Sequence, residues 1–258
     1  MLENIFKQRK YGLALGSGGA KGFVHIGVIK ALEDLDIEIT HIGGSSAGSL
    51  VGGLYALWKD INKVENVLLN YDKKSLLKIF SYDVTLSKGI FKGENFIKEL
   101  DKYLGNTKIE DCSIPFVAVS VDIQSGEKIY HTSGLLKDAI RASCSIPGVF
   151  TPYELNSMKL IDGGLVECVP VRATKNIGAK KIIGVNIEGF PDSKEKINLK
   201  SLTTRVYHAA MYNLGKSDLE LADKQLQFNL STLSMGELID NAKKYIKMGY
   251  EETINLFD

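Results

Sequence analysis

The sequence predicts an α/β fold, a three-layer α/β/α domain with a mostly parallel central sheet. Two observations predict it. A strand, a glycine turn and a helix occur twice within about 60 residues, and buried-strand patterns recur further along the chain. Such repeats are typical of parallel sheets covered by helices on both faces. The chain has 258 residues, of which 44% are hydrophobic and 24% charged, values that suit one large domain.

The first unit consists of the apolar run YGLALG at 11–16 and a helical pattern over 20–37. The second consists of the strand-like IEITHIGG at 37–44 and the apolar helical segment AGSLVGGLYALWKD at 47–60. Residues from about 60 to 110 are rich in lysine and mix short helical patterns, which predicts a lid-like insertion.

Strand patterns return in the second half of the chain. IPFVAVSVDI at 114–123, MKLIDGG at 158–164 and KKIIGVNIE at 180–188 are predicted strands, and GLLKDAIRASCSIPG at 134–148 is a predicted helix that stops before its proline. Residues from about 199 to 258 form a C-terminal helical part with two long helices. Because no repeat or clear linker interrupts the pattern, we predict one domain over 1–258.

Composition and charge exclude several classes of protein. The 32 basic and 31 acidic residues leave a net charge of +1, which disfavours nucleic-acid binding through bulk electrostatics. The three cysteines lack CxxC spacing and predict neither a zinc site nor a disulfide framework, and we expect no cofactor. With neither a signal-peptide pattern nor a long apolar run, we expect a cytoplasmic protein. The sequence indicates no oligomeric state.

A serine motif joins the second strand to the second helix. Gly44, Ser45, Ser46, Ala47 and Gly48 fit the pattern G-x-S-x-G with Ser46 at its centre. A serine at such a junction sits on a sharp turn, and small residues two positions away let the backbone pass close by. The helix N-terminus also favours negative charge that develops nearby. The motif therefore predicts a nucleophile, with a tight turn in a packed core as the alternative.

A glycine-rich loop, GSGGAKG at 16–22, follows the first strand. The loop does not fit the dinucleotide-binding fingerprint G-x-G-x-x-G, because Lys21 stands where the third glycine should be. The acidic residue that would bind the ribose, about 20 residues further on, could be Glu38, but Glu38 falls inside the second strand instead of at its end. A phosphate loop would need G-K-[ST], which is absent. The remaining interpretation is an oxyanion hole, in which backbone N–H groups face a developing negative charge, with the Lys21 cation nearby. The loop alone leaves nucleotide binding open.

A serine nucleophile needs a base, and Asp162 ends the predicted strand MKLIDGG. Burial at a strand end would make this aspartate a stronger base than a solvated one. With it, four ordered segments are in place: LALGSGGAKGFVHIGVIKALE, GGSSAGS, RASCSIPGVFTP and LIDGGLVECVPV. Together they resemble the patatin-like phospholipase family, in particular its small bacterial members related to the catalytic domain of neuropathy target esterase. The resemblance covers about residues 10–190.

The resemblance implies a serine acyl hydrolase that cleaves lipid carboxylic esters, as a phospholipase A or lysophospholipase does, through an acyl-enzyme. It assigns a catalytic dyad to Ser46 and Asp162. It assigns the oxyanion loop to Gly18, Gly19, Ala20 and Lys21, and places Gly16, Gly22, Gly44, Gly48, Gly163 and Gly164 as supporting motif positions. The sequence departs from the family at Ser17, where many members carry glycine, and at Glu167 and Cys168, which replace an asparagine-rich stretch.

Other polar residues give weaker alternatives. His208 follows Ser46 and Asp162 in the chain order of a conventional triad, but it falls inside a helical pattern. We expect His25 to pack within a helix and His131 to lie on the surface. Asp122 and Glu188 also lie at predicted strand ends and could line the site, although capping or solvation is the simpler interpretation.

Two further alternatives concern the whole chain. Leucines, aromatics and lysines alternate over 66–83 and 88–96, a pattern that fits peripheral contact with a membrane surface as well as an ordinary amphipathic helix packed on the core. Instead of an enzyme, the chain could be a nucleotide-binding module that uses the loop at 16–22, or a regulatory or scaffold protein on a hydrolase fold.

Overall fold

The computed structural model describes residues 9–70, 91–189, 199–230 and 241–258. The strands are β1 (Lys10–Leu15), β2 (Glu38–Ser45), β3 (Phe116–Asp122), β4 (Lys128–His131), β5 (Tyr153–Leu155), β6 (Met158–Asp162), β7 (Ile182–Glu188) and β8 (Lys224–Leu230). The α-helices of these ranges are α1 (Phe23–Asp34), α2 (Ala47–Trp58), α3 (Ile61–Leu69), α4 (Glu94–Leu104), α5 (Leu136–Ser143), α6 (Val171–Asn176), α7 (Leu199–Leu219) and α8 (Ala242–Phe257).

The strands of the described residues form one mixed sheet in the order β5-β6-β3-β2-β1-β7-β8, with β4 paired to β3. The five central and C-terminal strands β3, β2, β1, β7 and β8 run parallel. The strands β4, β5 and β6 add antiparallel pairs at the other edge. The predicted mostly parallel sheet is therefore confirmed.

Helices cover both faces of the sheet. Along β1, Leu13 and Leu15 are buried in the larger core with side chains of α1, α2 and α8, whereas Ala14 is buried in a second core with Val171 of α6 and Leu219 of α7. Alternate residues of the strand thus enter opposite cores, as a sheet buried on both faces requires. These two helical layers and the sheet between them make the predicted three-layer arrangement.

The structure also contains elements that the pattern did not reveal. The strands β4 and β5 are only four and three residues long. The C-terminal part is not purely helical, because β8 pairs with β7 and extends the sheet. The predicted insertion over 60–110 contains α3 and α4, while its middle lies outside the described residues, so its lid-like role and its membrane contact stay predictions. No helix in the described ranges is both long and apolar enough to cross a membrane.

The topology brings distant segments to one edge of the sheet. Parallel β1, β2 and β7 end at this edge, and there the chain continues into the glycine loop, the serine motif and the segment after Glu188. Antiparallel β6 brings its last residue, Asp162, opposite Ser120 of β3. Ligands of open α/β sheets bind beyond the carboxyl ends of the strands, so we place the candidate site at this edge.

Candidate active site

Ser46 occupies a strained elbow between β2 and α2. Its backbone has φ of 51° and ψ of −119°, a conformation that non-glycine residues rarely adopt. Space at the turn is minimal, since a Cβ at Gly48 would lie 2.0 Å from the carbonyl oxygen of Leu15, and one at Gly44 would lie 2.4 Å from Cα of Ser49. The glycines two positions before and after the serine therefore have the steric reason that the motif predicts.

Hydrogen bonds from three neighbouring residues hold the elbow in place. The Ser46 N–H donates to Oγ of Ser143 at 2.9 Å, and Oγ of Ser49 donates to the Ser46 carbonyl at 2.6 Å. The Cys144 thiol donates to the same carbonyl at 3.3 Å. Because Ser143 and Cys144 end α5, the RASCS segment acts as a support for the elbow. Sequence reasoning included that segment in the resemblance but gave its serines no role.

Asp162 is fully buried at the end of β6. Its Oδ1 accepts a hydrogen bond from the N–H of Gly164 at 2.8 Å, and its own N–H donates to the carbonyl of Ser145 at 3.0 Å. Its second carboxylate oxygen, Oδ2, is buried and receives no hydrogen bond from the described residues. One oxygen is thus fixed by the backbone while the other stays available as a proton acceptor.

Burial raises the pKa of Asp162 from 3.8 to about 7. The Ser46 hydroxyl and the N–H of Gly164 lower this pKa, and the negative charge of Glu188 raises it further. Oδ2 receives no hydrogen bond from the described residues, but the Ser46 hydroxyl is close enough to the carboxylate to act on its pKa. A carboxylate with a pKa near neutrality is a far better match to a serine proton than a solvated aspartate.

The glycine loop lies at the same edge of the sheet as Ser46. Its first two amides are committed, since Gly16 N–H donates to Val185 and Ser17 N–H donates to Cys168, both at 2.9 Å. No described residue accepts a hydrogen bond from the N–H of Gly18 or Gly19. Within the described part of the chain, both predicted oxyanion residues thus have a backbone donor that a ligand could use.

The remaining loop positions support this geometry. Ala20, Lys21 and Gly22 complete a 3₁₀ turn over Gly19–Gly22 that leads into α1. The D-G-G segment packs against the loop, because a Cβ at Gly164 would lie 2.6 Å from Oγ of Ser17. Its neighbour Gly163 lies so close to β3 that a Cβ there would sit 2.1 Å from the Val119 carbonyl.

His25 is buried in α1, as expected, but it does more than pack. Its Nε2 donates to the carbonyl of Gly16 at 2.8 Å and so ties the helix to the start of the glycine loop. Burial lowers the pKa of His25 to about 4, which keeps the ring neutral at physiological pH. The sequence gives no signal for this contact, because the two groups are nine residues apart across a turn.

The other histidines do not complete a triad. No described hydrogen bond joins His208 to Ser46 or Asp162, and its nearest charged partner is Glu188, with Nδ1 4.0 Å from Oε2. The expectation that His131 lies on the surface is wrong. Its side chain is buried, and Nε2 shares a hydrogen bond of 2.7 Å with Oγ of Ser120 beneath the site.

The strand-end acids differ from each other. Asp122 is a capping residue, as expected, and accepts from the N–H groups of Gln124 and Lys159. Glu188 is instead buried and paired with Lys21, which sequence reasoning did not predict. Glu38, the candidate ribose ligand, begins β2 and pairs with Lys10, so it lies at the opposite end of the sheet from the glycine loop.

Helix α7 closes the site from the other face of the sheet. Met211 is buried, and a Cβ at Gly164 would lie 2.4 Å from its Cε. Burial raises the pKa of Tyr207 well above its usual value, and the charges of Asp162 and Glu188 raise it further. The helix was predicted, but its position over the D-G-G segment depends on long-range packing that no local motif encodes.

Fold and site together define an α/β protein with a serine elbow, a glycine loop with free amides and a buried aspartate at one sheet edge. The family model for patatin-like phospholipases matches residues 13–175 of the chain. An NTE family protein of Mycobacterium tuberculosis (strain ATCC 25618 / H37Rv) is 34% identical over 177 residues, which cover 69% of this chain and 49% of that protein. The chain belongs to the patatin-like phospholipase family.

One further relative and one solved structure are also similar to the chain. Lysophospholipase NTE1 of Yarrowia lipolytica is 35% identical over 194 residues, which cover 74% of this chain and 14% of that protein. The crystal structure of VipD from Legionella pneumophila covers 98% of this chain and 67% of that chain with a TM-score of 0.54 at 14% identity, which shows the shared fold. The chain spans about half the length of the mycobacterial relative and a much smaller share of the yeast protein.

Proposed function

We propose that the chain is a serine acyl hydrolase that cleaves lipid carboxylic esters through a dyad of Ser46 and Asp162. The observation that carries the proposal is the pairing of a serine on a strained elbow with a buried carboxylate whose Oδ2 receives no hydrogen bond from the residues that the structure describes. A pKa of about 7 leaves a large fraction of that carboxylate ionised at neutral pH, so it can accept a proton. Structural aspartates buried at strand ends normally use both oxygens in hydrogen bonds.

The geometry supports a sequence of proton transfers without histidine. Asp162 Oδ2 accepts the Ser46 proton while Oγ attacks the ester carbonyl carbon. The free N–H groups of Gly18 and Gly19 stabilise the tetrahedral oxyanion. Collapse of this intermediate expels the alcohol, which takes the proton from Asp162 and leaves an acyl-enzyme. Water activated by Asp162 then attacks the acyl group and regenerates the serine.

The substrate class follows from family membership and from the relatives. Both the family description and the name of the Yarrowia protein point to phospholipid or lysophospholipid esters. Because Ser46 and Asp162 are both buried, an apolar acyl chain gains more free energy from reaching the site than a water-soluble ester does. We therefore propose lysophospholipids and phospholipids as the first substrates to test.

A panel of lipid esters separates the hydrolase from the other two functions. The wild type, Ser46→Ala and Asp162→Asn are compared on lysophospholipids, phospholipids and short-chain esters, with the exposed Ser113→Ala as a matched control. We expect Ser46→Ala to abolish turnover, Asp162→Asn to reduce it by about 10³-fold or more, and Ser113→Ala to retain it. Binding of a dinucleotide without turnover would support the nucleotide module, and folded protein that neither binds nor hydrolyses would support a scaffold.

A further inference from the structure

The lysine of the glycine loop is bound in a buried ion pair. Lys21 Nζ lies 2.7 Å from Oε2 of Glu188, and both side chains are less than 5% exposed. A second, longer contact of 3.4 Å joins the same ammonium to the carbonyl of Leu230. Because Glu188 ends β7 and Leu230 ends β8, the lysine ties the loop that follows β1 to the ends of two other parallel strands.

The loop is packed onto the same strand end. A Cβ at Gly18 would lie 2.5 Å from Cγ1 of Ile187, so the loop rests directly on the residue before Glu188. The backbone of Glu188 is itself held, since its N–H donates to Asn186 at 3.1 Å and its carbonyl accepts from Gln227 at 3.3 Å. The carboxylate that binds the lysine therefore projects from a fixed base.

The negative charge of Glu188 also acts on the proton acceptor of the site, because it raises the pKa of Asp162. The charged and titratable groups around it are Lys21 from the loop, Asp162 from β6, Tyr207 and His208 from α7, and Cys168 from the segment after the D-G-G motif. His208 Nδ1 is 4.0 Å from Oε2, beyond hydrogen-bond distance, and has no hydrogen-bond partner among the described residues. Lys21 is thus the cation in contact with Glu188, while Asp162 feels its negative charge.

We propose that Glu188 is a positioning residue for the hydrolysis assigned to Ser46 and Asp162. Its carboxylate holds Lys21, and with it the free amides of Gly18 and Gly19, and it supplies a fixed negative charge that keeps Asp162 a strong base. The inference rests on the proposed function. It also gives Lys21 an indirect part, because the ammonium is committed to Glu188 and steadies the loop instead of contacting the oxyanion.

The energetics of buried ion pairs indicate that this pair positions the glycine loop more than it stabilises the fold. A buried ion pair contributes little net stability compared with apolar side chains of similar volume, because both charges lose their hydration. Removal of one partner, in contrast, leaves the other charge buried and unpaired. The pair therefore fixes where the loop lies, and oxyanion donors must be placed to within a fraction of an ångström to be effective.

The test is Glu188→Gln, which keeps the shape of the side chain and an oxygen that can accept from Lys21 but removes the charge. We expect the rate of labelling by a fluorophosphonate to fall at least about tenfold, because the loop is less firmly held. In the pH profile of the labelling rate, the acid limb, where the rate falls at low pH, should also move to lower pH by about half a unit or more, because Asp162 loses its negative neighbour. An unchanged rate with an unchanged acid limb would overturn the inference.

Two comparisons separate a positioning effect from general destabilisation. Asp218→Asn removes another buried carboxylate that pairs with a cation, Arg172, at 2.7 Å. It should leave the acid limb of the labelling rate in place, and thermal unfolding of both variants shows whether a loss of labelling rate comes from a loss of stability. In Lys21→Met, the further change Glu188→Gln should cost much less labelling rate than it does alone, since both residues act through one contact. Full additivity of the two losses would contradict the shared role.

A readout without turnover keeps this inference distinct from the proposed function. Carbon-13 NMR titration of labelled aspartates, with Asp162→Asn to assign the signal, measures the pKa of Asp162 directly. Glu188→Gln should lower that pKa whether or not Ser46 is a nucleophile. If the pKa moves while labelling persists in Ser46→Ala, the proposed function fails and the charge coupling stands. If the pKa and the labelling rate both stay unchanged in Glu188→Gln while labelling depends on Ser46, the positioning role of Glu188 fails alone.

Discussion

Replacement of Asp162 by Asn should stabilise the folded protein at alkaline pH while it lowers activity by about 10³-fold or more. Burial holds the pKa of Asp162 at about 7, against 3.8 for the ordinary carboxyl group. The folded state therefore binds a proton more tightly than the unfolded chain does, and ionisation of Asp162 costs folding free energy as pH rises from about 4 to about 7. Asparagine keeps the shape and the acceptor for Gly164 N–H but never ionises.

The size of the effect follows from the pKa difference. The pKa of Asp162 is about 7 in the folded state, against 3.8 for the ordinary carboxyl group. This difference costs about 4 kcal/mol of folding free energy at pH near 8, where the carboxyl group is ionised in both states. At about pH 4.5 the remaining cost is only about 1 kcal/mol, since the folded state is almost fully protonated there. For a domain of this size, 1 kcal/mol changes the unfolding temperature by about 2–4 °C.

Thermal unfolding followed by circular dichroism at the two pH values measures the difference between Asp162→Asn and wild type. The matched control is Asp122→Asn, at a second strand end. Partial burial raises the pKa of Asp122, but hydrogen bonds from Lys159, Gln124 and Ser125 lower it more. Its ionised form is thus stabilising above its unfolded pKa, and Asp122→Asn should destabilise the protein at about pH 8. Equal stability of Asp162→Asn and wild type at both pH values would refute the reasoning about Asp162.

Three further predictions follow from the site. The kcat/KM for a lipid ester should rise with pH through about 7, because Asp162 must be ionised to accept a proton, and a flat profile between pH of about 5 and 8 would contradict this. Ser143→Ala leaves the Ser46 N–H without its acceptor, so kcat should fall more than KM rises, with a loss of about 1 kcal/mol or more in unfolding free energy. Gly48→Ala should prevent folding or strongly lower the unfolding temperature, because its Cβ would lie 2.0 Å from a backbone oxygen of β1. The control Gly53→Ala, whose Cβ would have its closest contact 3.0 Å away, should lower the unfolding temperature far less. Equal effects of the two substitutions would contradict the steric account.

Local patterns were enough to predict the central part of the fold. The apolar runs of β1, β2, β3 and β7 are long and bounded by glycine or charge, so they were identified from the sequence alone. The strands β4 and β5 are too short to show a period, and β8 alternates apolar and polar residues within a segment flanked by helices. Short edge strands depend on pairing with neighbours that are distant in sequence, which a local pattern does not contain.

The candidate site likewise has residues that the sequence predicts and residues that it does not. Ser46, Asp162 and the glycine loop have small residues at fixed spacing, since sharp turns leave a mark on the sequence. The partners of these groups leave no such mark. Glu188 looked like a capping residue because its partner Lys21 is 167 residues away in the sequence. His25 looked like a packing residue and His131 like a surface residue, because their contacts cross turns whose geometry the local pattern does not contain.

The central claim is that Ser46 is the nucleophile that Asp162 activates. Incubation with a fluorophosphonate probe, followed by intact-mass measurement and peptide mapping, tests it most directly. We expect one adduct per chain, mapped to Ser46, absent from Ser46→Ala and formed much more slowly by Asp162→Asn. An adduct that maps to Ser45, Ser49 or any residue other than Ser46, or that persists in Ser46→Ala, would contradict the account.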